Sequence, residues 1–392
     1  MTRRSLAGLV PLLGSGSLMA LMYTAVSSVL AQMAQDLRPD GDGALLAQVF
    51  MAMPSIGMMA GGIASAVVAA RLGARRLLLG GLLLYAVAGG SGWFAPPVAL
   101  LMAGRFVLGL AAAAVATACV TLLAALYEPA QRQRYVGYQS SLGAAFGLVS
   151  TLLAGAAAAR WGWHAPFTFY ALAVPLAVLA WAGLPASAGA PLGAAPGGTS
   201  AAALPWRRVA PLYALCLPLY AAVFMTMAQV PFLLREDGVA NPADQAWVLS
   251  MSSLWNAVGA AAYGGLRQRW GGPVTFAVAL ALLACGHLTL GLSHGALFTA
   301  LGCSLSGAGA GLVVPHVPNL LIERVDGAAR GRALGLMYTA LYLGSFANPL
   351  LVAPLAAWLG RHGALLVSAA LLAGGAALVL ARRAQAPRQA LR

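Results

Sequence analysis

The chain has 392 residues, of which 61% are hydrophobic and 8% charged, and its mean hydropathy is +0.82. Soluble proteins carry roughly 25% charged residues, so a soluble globular protein is excluded. The net charge of +14 comes from 23 arginines against 9 acids. The arginines sit in short clusters between apolar runs rather than along one soluble face, which excludes a nucleic-acid-binding surface.

Met1-Thr2-Arg3-Arg4 opens the chain with the charge pattern of a signal peptide. The apolar run that follows is long and has no distinct small-residue cleavage site, so a retained first span is expected. Apolar runs of 18 or more residues read as membrane-spanning helices. Broken by Arg, Pro-Gly and Asp-Gly punctuation, they give twelve predicted spans. The first six are 6–32, 45–70, 76–94, 97–125, 136–159 and 165–184. The second six are 209–233, 244–266, 273–292, 296–322, 333–357 and 362–381. Between them, Pro185–Pro205 is rich in Gly, Ala, Pro and Ser without charge, the composition of a flexible linker. The expected organisation is a six-helix bundle over 1–184, a linker over 185–208, a second bundle over 209–382 and a tail over 383–392.

With the N-terminus inside, eighteen arginines fall on the inner side of these spans and four on the outer side, with Arg105 within a span. Positive charge accumulates on the cytoplasmic side, so both termini and the linker are expected in the cytoplasm and the protein in the inner (plasma) membrane. Cys119, Cys216, Cys285 and Cys303 lie in apolar runs without ligand spacing and read as small packing residues. No metal set and no cofactor motif is expected.

The halves repeat at an offset of 198 residues. Gly61 falls on Gly259, Arg71 on Arg269, Gly73 on Gly271, Gly104 on Gly302 and Gly109 on Gly307. Further on, Glu128 falls on Asp326, Arg134 on Arg332, Gly137 on Gly335 and Gly162 on Gly360. The first spans match at 197, Gln32 on Gln229 and Arg38 on Arg235. An even number of spans per half preserves orientation, so the repeat is parallel, about an axis along the membrane normal. Two matched bundles with a pathway between them suit a transporter.

The loop between spans 2 and 3 runs from Ala66 to Ala70-Arg71-Leu72-Gly73-Ala74-Arg75-Arg76, and its second copy is Gly264 to Gln268-Arg269-Trp270-Gly271. Span 4 carries Arg105-Phe-Val-Leu-Gly109-Leu-Ala-Ala-Ala, and span 1 ends Leu30-Ala31-Gln32-Met33-Ala34-Gln35-Asp36-Leu37. These residues resemble the major facilitator superfamily over essentially the whole chain. The span 4 and span 1 motifs resemble its twelve-span drug:proton antiporter branch. Two departures stand out: the loop's acid is Ala70 or Gln268, and span 5 has Leu148 where antiporters carry a Gly-Pro pair. The resemblance implies an all-α fold of two six-helix bundles, with a cavity lined by spans 1, 4, 7 and 10 and flanked by 2, 5, 8 and 11. Spans 3, 6 and 9, mostly Ala, Leu, Gly and Val, are then the lipid-facing layer.

On that arrangement the substrate-facing candidates are Tyr23, Gln32, Arg105, Tyr220, Gln229, Asn256, Asn319, Tyr338 and Tyr342. Helix-to-helix hydrogen bonding is the competing role for each. Arg105 has no acid at its depth; backbone carbonyls, hydroxyls of nearby spans or an anionic substrate would partner it. Two groups could take a proton: His316, in the proline-disturbed Pro315-His316-Val317-Pro318 of span 10, and Asp36 at the outer end of span 1. A plainer role for His316 is a bond to a carbonyl freed by Pro318. His287, in span 9, reads as an interface or lipid-edge residue. Arg71, Gly73, Arg75, Glu128, Arg269, Gly271 and Asp326 form the expected inner gate, with Glu128 and Asp326 pairing to the loop arginines. The expected function is secondary active transport of small amphipathic molecules by alternating access, as proton-coupled efflux. The alternative is an importer or facilitator of small organic anions read by Arg105. The partners are a small-molecule substrate, protons and the lipid bilayer, with no nucleic acid and a monomeric chain. No nucleotide-binding loop and no catalytic constellation occurs, so an enzyme is not expected.

Overall fold

The computed structural model describes residues 3–38, 43–94, 97–186, 204–325 and 329–389. They form twelve α-helices and no strand. The chain divides into two compact units, Met1–Ala203 and Leu204–Arg392.

The first unit holds α1 (Arg3–Ser27), α2 (Leu30–Leu37), α3 (Gly43–Leu72), α4 (Ala74–Gly90), α5 (Val98–Leu126), α6 (Pro129–Trp161) and α7 (Ala173–Gly183). A 3-10 segment, Ala165–Leu172, leads into α7, so the sixth span begins as the tighter helix. The second unit holds α8 (Trp206–Glu236), α9 (Pro242–Trp270), α10 (Gly272–Leu292), α11 (Ala296–Ile322) and α12 (Arg330–Gln389). Helix α12 bends at Gly360, whose φ of 72° interrupts the helix and separates the predicted spans 11 and 12. Among the described residues ten helical stretches are long and apolar enough to cross a membrane, the α12 run counting once. Helix α9, the predicted span 8, is not among them; Ser250, Ser252, Ser253 and Asn256 lower its hydropathy.

Span 1 is not the continuous helix the sequence suggests. It breaks at Ser28–Val29 between α1 and α2. The Ser27 hydroxyl bonds back to the Thr24 carbonyl (3.1 Å), and the Val29 amide turns back to Val26 (3.1 Å) with Val29 at φ −108°, ψ 0°. Serine hydroxyls that compete for the backbone ladder disturb a helix in this way.

Each unit repeats the other's internal packing. Helix α3 lies against α5 as α9 does against α11, α1 against α6 as α8 does against α12, and α4 against α5 as α10 does against α11. The matched glycines explain this. A Cβ at Gly109 would strike the Pro54 carbonyl, and one at Gly307 would strike that of Ser252, the residue equivalent to Pro54. With no hydrophobic driving force between helices in lipid, small residues that let backbones approach hold such bundles together. The turns before α4 and α10 match too, with Gly73 at φ 86° and Gly271 at φ 80°. In the second unit a buried cluster of Met225, Val230, Leu233, Val248, Cys303 and Leu365 forms a wholly apolar centre.

Candidate functional site

In the first unit the polar interior is built around Arg105. It lies seven residues into α5, roughly 10 Å from the helix start at 1.5 Å per residue, and is 2% exposed. Its Nη2 donates to the Met22 carbonyl of α1 (2.7 Å) and its Nη1 to the Tyr170 hydroxyl (2.7 Å). Its Nε donates to the Phe50 carbonyl of α3 (3.4 Å), and the guanidinium carbon sits 4.9 Å from the Phe50 ring centroid. The Tyr170 hydroxyl donates to the same Met22 oxygen (3.3 Å). Of the partners the sequence left open, carbonyls and a hydroxyl are the ones present. A charged donor contributes about 1.5–3 kcal/mol per hydrogen bond in soluble proteins and less between membrane helices. These bonds tie α1, α3 and α5 to the start of the sixth span.

Span 3 contributes more than a lipid-facing layer would. Tyr85 of α4 is fully buried and donates to the Leu18 carbonyl (2.5 Å), with its ring 5.7 Å from that of Tyr170. Tyr23 shares a hydrogen bond with Ser55 (2.9 Å). Gln32 has its Oε1 buried with no hydrogen-bond partner, as does the Ser28 Oγ at the helix break. Asp36 accepts from Trp163 Nε1 (2.6 Å), which ties the end of α2 to the loop after α6. His164 stacks on Trp163 beside that carboxylate (3.7 Å between centroids). Burial pushes the His164 imidazole below its ordinary 6.5, and the Asp36 charge offsets part of that.

In the second unit Gln229, the counterpart of Gln32, accepts from Arg361 (3.3 Å), and Arg361 also donates to Glu236 (2.7 Å). Tyr338 and Tyr342 stack at 6.4 Å. Asn319 is exposed and donates to the Pro315 carbonyl (2.7 Å). Tyr220 and Asn256 are half-buried. The substrate-facing candidates thus fall into two sets, one in each unit, with Asn319 and Tyr338 exposed.

His316 does not bond a carbonyl freed by Pro318. Its Nδ1 lies 3.4 Å from the Tyr263 hydroxyl of α9, and its ring stacks on Phe276 of α10 at 4.8 Å. Arg267 donates to the same Tyr263 hydroxyl (2.6 Å) and pairs with Glu323 at the end of α11. Tyr263, Arg267 and Glu323 were not singled out from sequence; Tyr263 and Arg267 stand four apart on one helix face, the spacing that brings side chains together. His287 is enclosed rather than at a lipid edge. Its Nδ1 hydrogen-bonds Ser368 (2.9 Å), and its Nε2 faces Thr226 (3.5 Å).

At the end of the units where the gate was expected, Gly73 and Gly271 start α4 and α10, and Arg71 and Arg269 are exposed. Arg75 donates to the Trp181 carbonyl (2.7 Å) rather than to Glu128. Glu128 stands at the N-terminal cap of α6 without a side-chain cap bond, and among the described residues it makes no ion pair. Asp326 lies outside the described residues.

The sequence matches the profile of the Major Facilitator Superfamily over residues 12–240 and again over 212–392. The chain belongs to this superfamily. Solved transporters share its fold at low identity. The nucleoside transporter NupG is 13% identical, with 97% of this chain and 99% of that one covered at a TM-score of 0.75. The inward-open xylose transporter XylE from E. coli is 15% identical, with 96% and 94% covered at 0.74. A POT family transporter in complex with a thioalcohol-conjugated peptide is 12% identical, with 97% and 96% covered at 0.73. The protein is therefore a multi-pass membrane transporter with the two-bundle fold of this superfamily, and not an enzyme.

Proposed function

We propose that the transporter exports small amphipathic molecules across the inner membrane in exchange for protons, with His316 as the group that takes up the proton. The observation that carries this reading is the set of fully enclosed charged or imidazole side chains. Among the described residues these are Arg105, His287 and His316, with no carboxylate. Arginine stays protonated in proteins, so exchange at depth falls to an imidazole, which titrates near neutral pH. Both ring nitrogens of His287 face neighbouring side chains. His316 lies six residues from the end of α11, roughly 9 Å deep. It reaches Tyr263, and the 55%-exposed Glu323 lies beyond Arg267. Tyr263 orients the imidazole, and Arg267 holds Tyr263 and Glu323 in register. A proton accepted on His316 from one side and released to the other drives the return of the emptied carrier by alternating access. The gating residues of this reading are Arg71, Gly73 and Arg75 in the matched loop of one unit and Arg269 and Gly271 in that of the other.

Arg105 acts here as a positioning residue. Its donors are engaged by Met22, Phe50 and Tyr170, which removes the motive for anion import through it. The candidate groups Tyr23 and Gln32 in the first unit and Tyr220, Gln229, Asn256, Asn319, Tyr338 and Tyr342 in the second suit a weakly polar ligand, with Met22 and Met225 adding adaptable surface in each.

The test is substrate efflux and proton flux in reconstituted vesicles. His316→Gln abolishes the dependence on the pH gradient while counterflow of substrate persists, and Tyr263→Phe weakens it. Wild-type gradient dependence in His316→Gln would reject this coupling site, and the same measurement on Asp36→Asn tests the runner-up.

A further inference from the structure

We propose that Asp237, His294 and His362 form a binding site for a divalent transition metal, best suited to Zn2+, at the end of the second unit that the arginine distribution assigns to the outside. The three residues come from separate connections: the end of α8, the turn between α10 and α11, and the first turn of α12 beyond Gly360. No spacing in the sequence joins them. In the folded unit each offers a ligand atom, and these atoms lie within 4.8 Å of one another.

The surroundings are those of a prepared site. One Asp237 oxygen accepts from the Gly295 amide (2.7 Å), leaving the other facing His294 Nδ1 at 3.8 Å. Backbone donors that hold a ligating carboxylate are the usual outer support of a metal centre. Gly295 can turn His294 toward Asp237 because it adopts φ 87°, a conformation open to glycine. The His294 and His362 rings are 5.5 Å apart. His362 Nδ1 is buried with no hydrogen-bond partner. A buried ring nitrogen without a partner needs an explanation, and a metal ion supplies one. The neighbouring Arg361–Glu236 pair fixes the two chain segments that carry His362 and Asp237.

The donor set selects the metal. Two imidazoles and one carboxylate suit zinc and its first-row neighbours, whereas Ca2+ and Mg2+ require oxygen ligands. Zinc bonds of about 2.0–2.1 Å place tetrahedral ligands about 3.4 Å apart. The His294 side chain is 85% exposed and can rotate to close the gap. A fourth position remains for water. The first unit lacks the set: His164 and Trp163 stand at the positions of His362 and Arg361, but the counterpart of His294 is Pro96.

The experiment is calorimetric titration of ZnCl2 and MgCl2 into the purified, tag-free full chain in detergent, in a Cys285→Ser background that removes the exposed thiol. One Zn2+ per chain is expected, with no Mg2+ binding. His294→Gln and His362→Gln should each weaken Zn2+ binding by at least about tenfold, since loss of even a supporting partner costs 10–100-fold. His164→Gln should leave it unchanged. Zinc should also raise the thermal midpoint of the parent and not of His294→Gln; His294, being exposed, can be replaced without loss of the fold. Absence of Zn2+ binding, or binding equal in the parent and in both histidine variants, overturns the proposal. Because the test measures metal binding and not transport, it stands or falls apart from the proton-coupling reading.

Discussion

The two units solve one packing problem with opposite chemistry. At the offset of 198, Gly89 of the first unit corresponds to His287 of the second, Tyr170 to Ser368, Arg105 to Cys303 and Phe50 to Val248. In the first unit the bare backbone of Gly89 admits the Tyr170 ring, which occupies the space a Cβ there would need. Tyr170 in turn receives Arg105. In the second unit the large residue is on the other helix: His287 reaches across to the small Ser368. The arginine's place is then taken by Cys303, buried among Val248, Leu290 and Leu365. Size and polarity have changed sides while the helix contact has been kept. Both units fill the joint between the third and sixth spans, the first by ring packing of Tyr170 on Gly89 and the second by the His287–Ser368 hydrogen bond.

Replacing Arg105 should break this joint most severely. Arg105→Leu removes the arginine donor from the Phe50 carbonyl and the Tyr170 hydroxyl and leaves the Met22 carbonyl with only its longer bond from Tyr170, at about 2–4 kcal/mol. Ser368→Ala in the second unit removes one neutral bond and should cost only about 0.5–1 kcal/mol. Thermal unfolding in detergent, followed by tryptophan fluorescence, measures both. An Arg105→Leu effect no larger than that of Ser368→Ala would mean the units do not differ here.

A smaller effect sharpens the steric half of the comparison. Gly89→Ala places a methyl group against the Tyr170 ring, and overpacking of this kind costs about 1–3 kcal/mol. In the double variant with Tyr170→Ser, the collision vanishes. The combined loss should therefore fall short of the sum of the single losses, a coupling read from a double-mutant cycle. Additive losses would show that the ring yields to the methyl group.

The smallest effect lies just before the sixth span of each unit, where His164 and His362 correspond. A folded imidazole held below its ordinary value of 6.5 binds protons less readily than the same group in the unfolded chain. Its contribution is present above that value and lost as pH falls through it. The thermal midpoint should drop slightly between about pH 7.5 and pH 5, and His164→Gln should flatten that drop. An unchanged slope in the variant would remove His164 from the balance.

Span positions and the internal repeat were legible in the sequence, because both rest on composition and on residues required in each copy. Gly73 and Gly271 illustrate this: a tight turn at positive φ leaves little alternative to glycine. The break in span 1 was not legible, since Ser27 and Ser28 differ little in hydropathy from many residues inside continuous spans. The site was only partly legible. Arg105 and His316 stand out as ionisable residues in apolar runs, which is costly enough to be a signal. Their partners do not stand out. Met22 and Phe50 act through backbone carbonyls that every residue has, and Tyr263 is one of eleven tyrosines. The partners of the loop arginines were the least legible part, because arginine side chains reach many acceptors: Arg75 meets the Trp181 carbonyl and Arg267 meets Glu323.

The guanidinium of Arg105 has an electrical consequence. It is a permanent positive charge within a membrane span, and among the described residues no carboxylate is bonded to it. A charge in that position feels the transmembrane voltage, which acts with about 2.3 kcal/mol per elementary charge per 100 mV across the full membrane. Any displacement of the first unit along the membrane normal moves this charge through part of the field. A movement of the first unit along the membrane normal would be sensitive to voltage through this charge, and Arg105→Leu would diminish the charge displaced.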